Sequence, residues 1–260
     1  MRALPLLCAC LVVLAGCNGL GGGDSDGDVT PADVPRDLHG GTIAPGLTES
    51  ELVNASALAT AHERVLANRS FAATYRLQLL AANGSVIRES VTRGQYAADR
   101  LQYNTSARYT GGFAEARGTE RRESWADGDH RYVRWSRGGE WEYQRQQLRP
   151  PARLSPGDTL EPLLSGATGV AVERLDTEGE WERYRVEATE FENLSGNVEN
   201  ATLTAVVDER GLVSEVRVVV VLDTGHQQVV RVTYSAVGET TVERPAWADE
   251  ALERVNATGG

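Results

Sequence analysis

The chain of 260 residues contains no lysine; all 26 basic residues are arginine, against 37 aspartates and glutamates, and the net charge is −11. No basic stripe is available to neutralise phosphates, so nucleic acid is not expected as a partner. An acidic surface without lysine has two readings. Codon usage in a GC-rich genome would favour arginine over lysine. Adaptation to molar salt would also produce it, because at 1 M the Debye length is about 3 Å and crowded carboxylates no longer repel. The second reading is preferred, since a low pI accompanies the complete absence of lysine. Cysteine is scarce as well: of Cys8, Cys10 and Cys17, the first two lie in the leading apolar stretch. A mature chain that keeps only Cys17 can form no internal disulfide and has no cysteine nucleophile in its body.

Signatures of catalysis are also missing. The sequence has no G-x-S-x-G elbow and no phosphate-cradling glycine loop, and its four histidines, 39, 62, 130 and 226, are scattered. His62-Glu63 begins an H-E-x-x-H pattern, but Leu66 stands where the second imidazole is required, so His62 reads as a helix-face residue. Asp24 to Asp28 resembles the opening of a calcium loop, yet its glycine is displaced and Pro35 occupies the place of the closing glutamate. His130 lies beside Asp127 and Asp129, which a hairpin turn explains equally well. No metal, no cofactor and no enzymatic activity are expected.

The N-terminus carries the strongest motif. Met1-Arg2 followed by the apolar run Ala3 to Leu14 has the length of a signal h-region and is too short to span a bilayer. Leu14-Ala15-Gly16-Cys17 then fits a lipobox: small residues admit the backbone to a peptidase cleft, and the thiol carries the diacylglyceryl thioether. Residues 1–16 are therefore expected to be cleaved, with lipid on Cys17 anchoring the protein at the outer face of the cytoplasmic membrane. Residues 17–47, rich in Gly, Asp and Pro, read as a tether. A coil of about 30 residues spans roughly 30 Å.

From residue 48 the pattern becomes that of a folded domain, expected to run to 255 with a disordered tail at 256–260. Leu52, Ala55, Leu58, Ala59, His62, Val65 and Leu66 recur at helical spacing over 48–67, with Thr48 and Glu51 as a capping box and Asn68 as a stop. Beyond it, period-two alternation predicts strands at 71–81, 85–94, 97–106, 119–126, 130–136, 140–147, 170–176, 181–190, 201–208, 212–222 and 226–236. Turn signals such as Asn83-Gly84, Asp127-Gly128 and Gly138-Gly139 make neighbouring strands antiparallel. Short helices are expected within 157–168 and 246–255. The fold class is α+β, one large curved antiparallel sheet packed on an N-terminal helix.

Seven of the nine asparagines open an N-x-S/T sequon: Asn54, Asn68, Asn83, Asn104, Asn193, Asn200 and Asn256. Chance would supply roughly one, so surface glycosylation is expected. Trp125, Trp135, Trp141 and Trp181, with Tyr132, Tyr143 and Tyr184, fall in expected strands; they either line a binding cup or fill a sheet core.

Taken with the lipobox at Cys17, the Gly/Asp tether, the helix ending at Asn68, the hairpins through Val213–Ala236 and the closing segment Val242-Glu243-Arg244-Pro245, this order resembles the lipoprotein-carrier superfamily typified by LolA and the LppX-like lipoproteins. Within it, the chain is more closely similar to uncharacterised lipoproteins of halophilic archaea. The resemblance covers about residues 48–250 and is one of pattern. It implies an incomplete barrel whose concave face holds acyl chains or another apolar ligand, with no catalytic residues to carry over. Tyr75, Leu77 and Leu79 in the first strand, with Val218, Val220 and Leu222 in the penultimate one, are the expected ligand-facing positions. Two functions remain open: a non-enzymatic module carrying a lipid or apolar ligand, or a glycosylated structural lipoprotein that contacts a surface-layer or membrane protein and has no cavity.

Overall fold

The computed structural model describes residues 41–148, 156–176, 180–192 and 197–258. The signal segment, Cys17 and most of the expected tether lie outside these residues.

Order begins earlier than the composition implies. Strands β1 (Thr42–Ala44) and β2 (Leu47–Thr48) pair antiparallel around Pro45-Gly46, within the segment expected to be tether. Ala44 and Leu47 are buried in the main core, and burial of these apolar side chains holds the segment in place. The helix, in turn, begins later. Thr48 closes a turn of its own, its Oγ1 accepting from the Glu51 N–H at 3.0 Å, so the expected capping box starts no helix. Helix α1 (Ala55–Leu66) starts instead at Asn54, whose Oδ1 accepts from the Ala57 N–H at 2.9 Å.

The chain then lays down β3 (Phe71–Leu80), β4 (Val86–Tyr96), β5 (Gln102–Gly111), the short helix α2 (Gly112–Arg117), β6 (Arg121–Asp127), β7 (His130–Arg137) and β8 (Glu140–Gln147). After helix α3 (Pro156–Leu164) come β9 (Ala167–Leu175), β10 (Arg183–Phe191), β11 (Val198–Asp208), β12 (Val213–Leu222) and β13 (Gln227–Ser235), and the described chain closes with α4 (Ala248–Thr258). One antiparallel sheet of eleven strands results, in the order β8-β7-β6-β5-β4-β3-β13-β12-β11-β10-β9. Its two meanders join where β3 meets β13, in the middle of the sheet. Among the described residues β8 and β9 do not pair with each other, so the sheet is not a closed barrel.

Several boundaries differ from the sequence pattern: β9 and β11, for example, each begin three residues before the expected 170 and 201. The strand expected at 97–106 starts at Gln102, because Asp99 Oδ1 accepts from the Leu101 N–H at 2.9 Å and Arg100 turns the chain at φ +60°. Helix α4 runs past 255 to Thr258, into the expected tail, where no helix breaker intervenes before Gly259.

Register sorts the side chains onto two faces. On the inner face one cross-strand row reads Tyr109, Ser90, Leu77, Val230, Val218, Leu203, Ala188 and Val170. Leu58, Ala59 and Leu66 of α1 and Leu160 and Leu164 of α3 pack into the same core as this face. Trp125 of β6 and Tyr132 of β7 belong to the opposite, outer face. There they form a second, smaller core with Trp247 and with Ala248 and Ala251 of α4.

Candidate functional site

The inner face divides into two ends. At the end carrying Phe71, Tyr96, Tyr103 and Tyr234 it is sealed: the Phe71 ring stacks on Tyr96 at 4.9 Å and lies 5.9 Å from Tyr234. His62 of α1 completes this plug. It is 0% exposed, meets Tyr234 edge-on at 4.5 Å, and accepts a hydrogen bond at Nδ1 from the Val213 N–H at 3.1 Å. Burial drives its pKa down to about 3, so the imidazole is neutral. His62 therefore lies on the apolar face of α1, in line with Leu58, Ala59 and Leu66, as its helical spacing predicts.

At the other end the helices cover less. Tyr75, Leu77 and Leu79 of β3 point inward, as do Val218 and Val220 of β12 by their pairing with β13. Tyr75 faces Val232 and Leu77 faces Val230, which in turn faces Val218; Gln228 stands between Leu79 and Val220. The register thus brings five of the expected ligand residues together across β13, and Leu222 continues their side of β12. Val218 is buried, whereas Tyr75, Leu77, Leu79, Val220 and Leu222 are only half-buried. A band of aliphatic and aromatic side chains beside the core therefore remains partly open to solvent.

Sequence reasoning missed the residues that border this band. Arg88, Ser90 and Tyr109 share the inner face by register, and α2, which was not anticipated, brings Phe113 and Arg117 against Arg88 and Tyr109. The available signal was Gly111-Gly112 ahead of a short run of helix formers.

The aromatic residues do not gather into a cup. Trp125 and Tyr132 stack at 5.5 Å beneath Trp247, and Arg134 lies 4.2 Å over Trp141 and 4.9 Å over Trp247 while pairing with Glu123 at 2.7 Å. Trp181 lies under Arg210, 4.4 Å from its guanidinium. Clefts of about 580, 500 and 420 Å³ border α2, Trp247 and the end of β5, and their linings include none of the six expected ligand residues.

Asn54, Asn68, Asn83 and Asn200 are exposed, as glycan attachment requires. Asn104 is half-buried, and its Nδ2 donates to the Glu243 carbonyl at 3.4 Å. Asn193 and the side chain of Asn256 lie outside the described residues. The backbone N–H groups of Asp129 and His130 donate to Asp127 Oδ1 at 2.9 and 2.8 Å, so the Asp/His group of the β6–β7 hairpin builds a turn. Among the described residues no three His, Cys, Asp or Glu side chains are placed to hold a metal, and no helix is long and apolar enough to cross a membrane.

The family model described as a family of unknown function (DUF7537) matches residues 2–251. Comparison with curated proteins finds no match. Among solved structures, LprF from Mycobacterium bovis is similar over 74% of this chain and 97% of its own, at 14% identity and a TM-score of 0.39. A DUF1329 family protein from Desulfovibrio piger is similar over 74% of this chain and 94% of its own, at 11% identity and a TM-score of 0.27.

Proposed function

We propose, for a chain that belongs to the family of unknown function DUF7537, the role of a lipid-anchored, extracytoplasmic binding module that holds an apolar or amphipathic ligand against the open end of its inner sheet face. The observation that carries this reading is the half-buried band of Tyr75, Leu77, Leu79, Val220 and Leu222, partly open to solvent at the margin of the core. A soluble domain does not gain from leaving aligned aliphatic side chains wet, since each buried CH₂ is worth about 0.8 kcal/mol. A chain of about ten carbons laid along the band would bury enough to offset its immobilisation. The lipobox at Cys17 supports a membrane-proximal location on the outer face of the cytoplasmic membrane, and the lysine-free acidic composition supports a salt-rich exterior.

Protein isolated from its own membranes without detergent should release a lipid on solvent extraction. Leu77→Asp should abolish that cargo while preserving the circular dichroism spectrum. Native mass spectra showing only the apo mass, even after incubation with the membrane lipids, would remove this reading. The anchor has its own check: Cys17→Ser should leave the protein unprocessed or outside the membrane fraction, and unchanged processing and detergent extraction would contradict it.

A second reading, a glycosylated envelope lipoprotein that contacts a surface-layer or membrane protein, draws support from two observations. Asn54, Asn68, Asn83 and Asn200 are exposed, and none of the described clefts is lined by the apolar band. Glycopeptide mapping that finds these sites occupied, together with an empty sheet face, would favour it.

A further inference from the structure

In a chain with a net charge of −11, two arginines beside the apolar band have no acidic partner among the described residues. Arg88 points inward from β4, opposite Leu79 on one side and Gly111 on the other. At Gly111 the chain leaves β5 with φ +57°, so close to β4 that an added Cβ would stand 2.1 Å from the Ile87 carbonyl oxygen. This tight exit folds α2 back onto β4 and sets Phe113 under Arg88, the guanidinium carbon 4.8 Å from the ring centroid. Arg117, one turn on, lies 5.5 Å from the same ring and 4.6 Å from that of Tyr109. Tyr109 faces Ser90, which faces Leu77 of the band.

Both guanidinium groups lie over aromatic rings, and among the described residues their N–H groups meet no acceptor. Nearby carboxylates do not supply one: Glu89 pairs with Arg76 and Gln78 on the outer face, and Glu115 and Glu120 line the neighbouring clefts without reaching either arginine. At the same end of the sheet Val86 and Ile87 are 52% and 42% exposed. Cationic edges, an aromatic platform and exposed aliphatic residues meet within one rim, which is the chemistry of an amphiphile's headgroup region.

We propose that Arg88 and Arg117, held on Phe113 and Tyr109, recognise the phosphate of an anionic amphiphile whose chain lies on the band of Tyr75, Leu77 and Val220. This rests on the proposed function and adds the class of ligand to it. Planar guanidinium donors suit phosphate oxygens, and both guanidinium carbons lie within 5.5 Å of the Phe113 centroid.

The test uses the full-length chain carrying Cys17→Ser, so that no attached lipid competes, in the lowest salt that preserves its circular dichroism spectrum. Calorimetric titrations with dodecyl phosphate, dodecanol and inorganic phosphate separate charge from chain. Dodecyl phosphate should bind at least about tenfold more tightly than dodecanol, and the Arg88→Gln/Arg117→Gln double variant should lose that advantage while dodecanol binding stays unchanged. Inorganic phosphate alone should neither bind nor compete at millimolar concentration. Equal affinities for the two amphiphiles, or a double variant that keeps its preference, would overturn the headgroup site and leave the apolar-ligand reading standing. Binding of neither amphiphile would instead refute the apolar-ligand reading. Arginine-dependent phosphate binding without amphiphile binding would assign the pair to a free anion, against the proposal.

Discussion

At the scale of single residues, His62 and Asn54 show how little a motif says before its surroundings are known. His62 sits in a broken zinc-protease pattern, yet its surroundings are the Tyr234 ring and the Val213 N–H, and burial lowers its pKa from 6.5 to about 3. Between those pH values the unfolded chain holds a proton that the folded one excludes. Stability is fully present above pH 6.5 and is lost as the pH falls, by up to about 1.4 kcal/mol per unit. Urea denaturation at pH 7 and pH 4.5 should show a drop that is smaller in His62→Gln than in the parent by about one proton's worth. An equal drop in both would mean that His62 is not the group excluded. Asn54 caps α1 through its Oδ1, an arrangement compatible with a glycan on Nδ2. Replacing it by Ala should cost about 1 kcal/mol in unglycosylated protein, and a melting temperature unchanged from the parent would contradict the cap.

At the scale of elements, the sequence was most legible where alternation and turn chemistry agree. The hairpins at Asn83-Gly84, Asp127-Gly128 and Gly138-Gly139 join the strands they were expected to join. Legibility failed where a local hydrogen bond competed with a motif. Thr48 and Glu51 have the letters of a capping box, but Leu47 is drawn into the core and Thr48 closes a turn there, moving the helix start to Ala55. Asp99 and Arg100 likewise delay β5, by a turn that period-two counting cannot detect. Helix α2 shows no helical period because its six residues are too few; its place is fixed by Gly111. That glycine combines φ +57° with ψ −144°, a region open to glycine alone. Gly111→Ala should therefore destabilise the fold by about 2–3 kcal/mol and detach Phe113 from Arg88. A loss below 0.5 kcal/mol in chemical denaturation would show that α2 is not held in this way.

At the scale of the whole molecule, composition carried the expectation on salt and the N-terminal motif that on export, while register places the expected ligand residues. The pairing of β3 with β13 and of β13 with β12 brings Leu77 and Val218 into one row although they are far apart in sequence. Period-two counting alone put these residues on an inward face; that the two faces are the same one follows from the meanders joining at β3 and β13. Bordering groups such as Arg88 and Phe113 had no such signal, because their meeting depends on the backward fold of α2. The excess of carboxylates predicts that the melting temperature falls as salt drops from molar to about 0.1 M, where the Debye length reaches about 10 Å; a melting point that does not move would leave only codon usage as the reason for the missing lysines. The central claim is that an apolar chain occupies the open end of the inner face, and photocrosslinking tests it most directly. A diazirine-bearing long-chain lipid, irradiated with the full-length protein and mapped by peptide mass spectrometry, should label Tyr75, Leu77 or Leu79 on β3 and Val220 or Leu222 on β12. Labels confined to outer-face residues such as Thr74 and Val219, or none above an unirradiated control, would contradict the account.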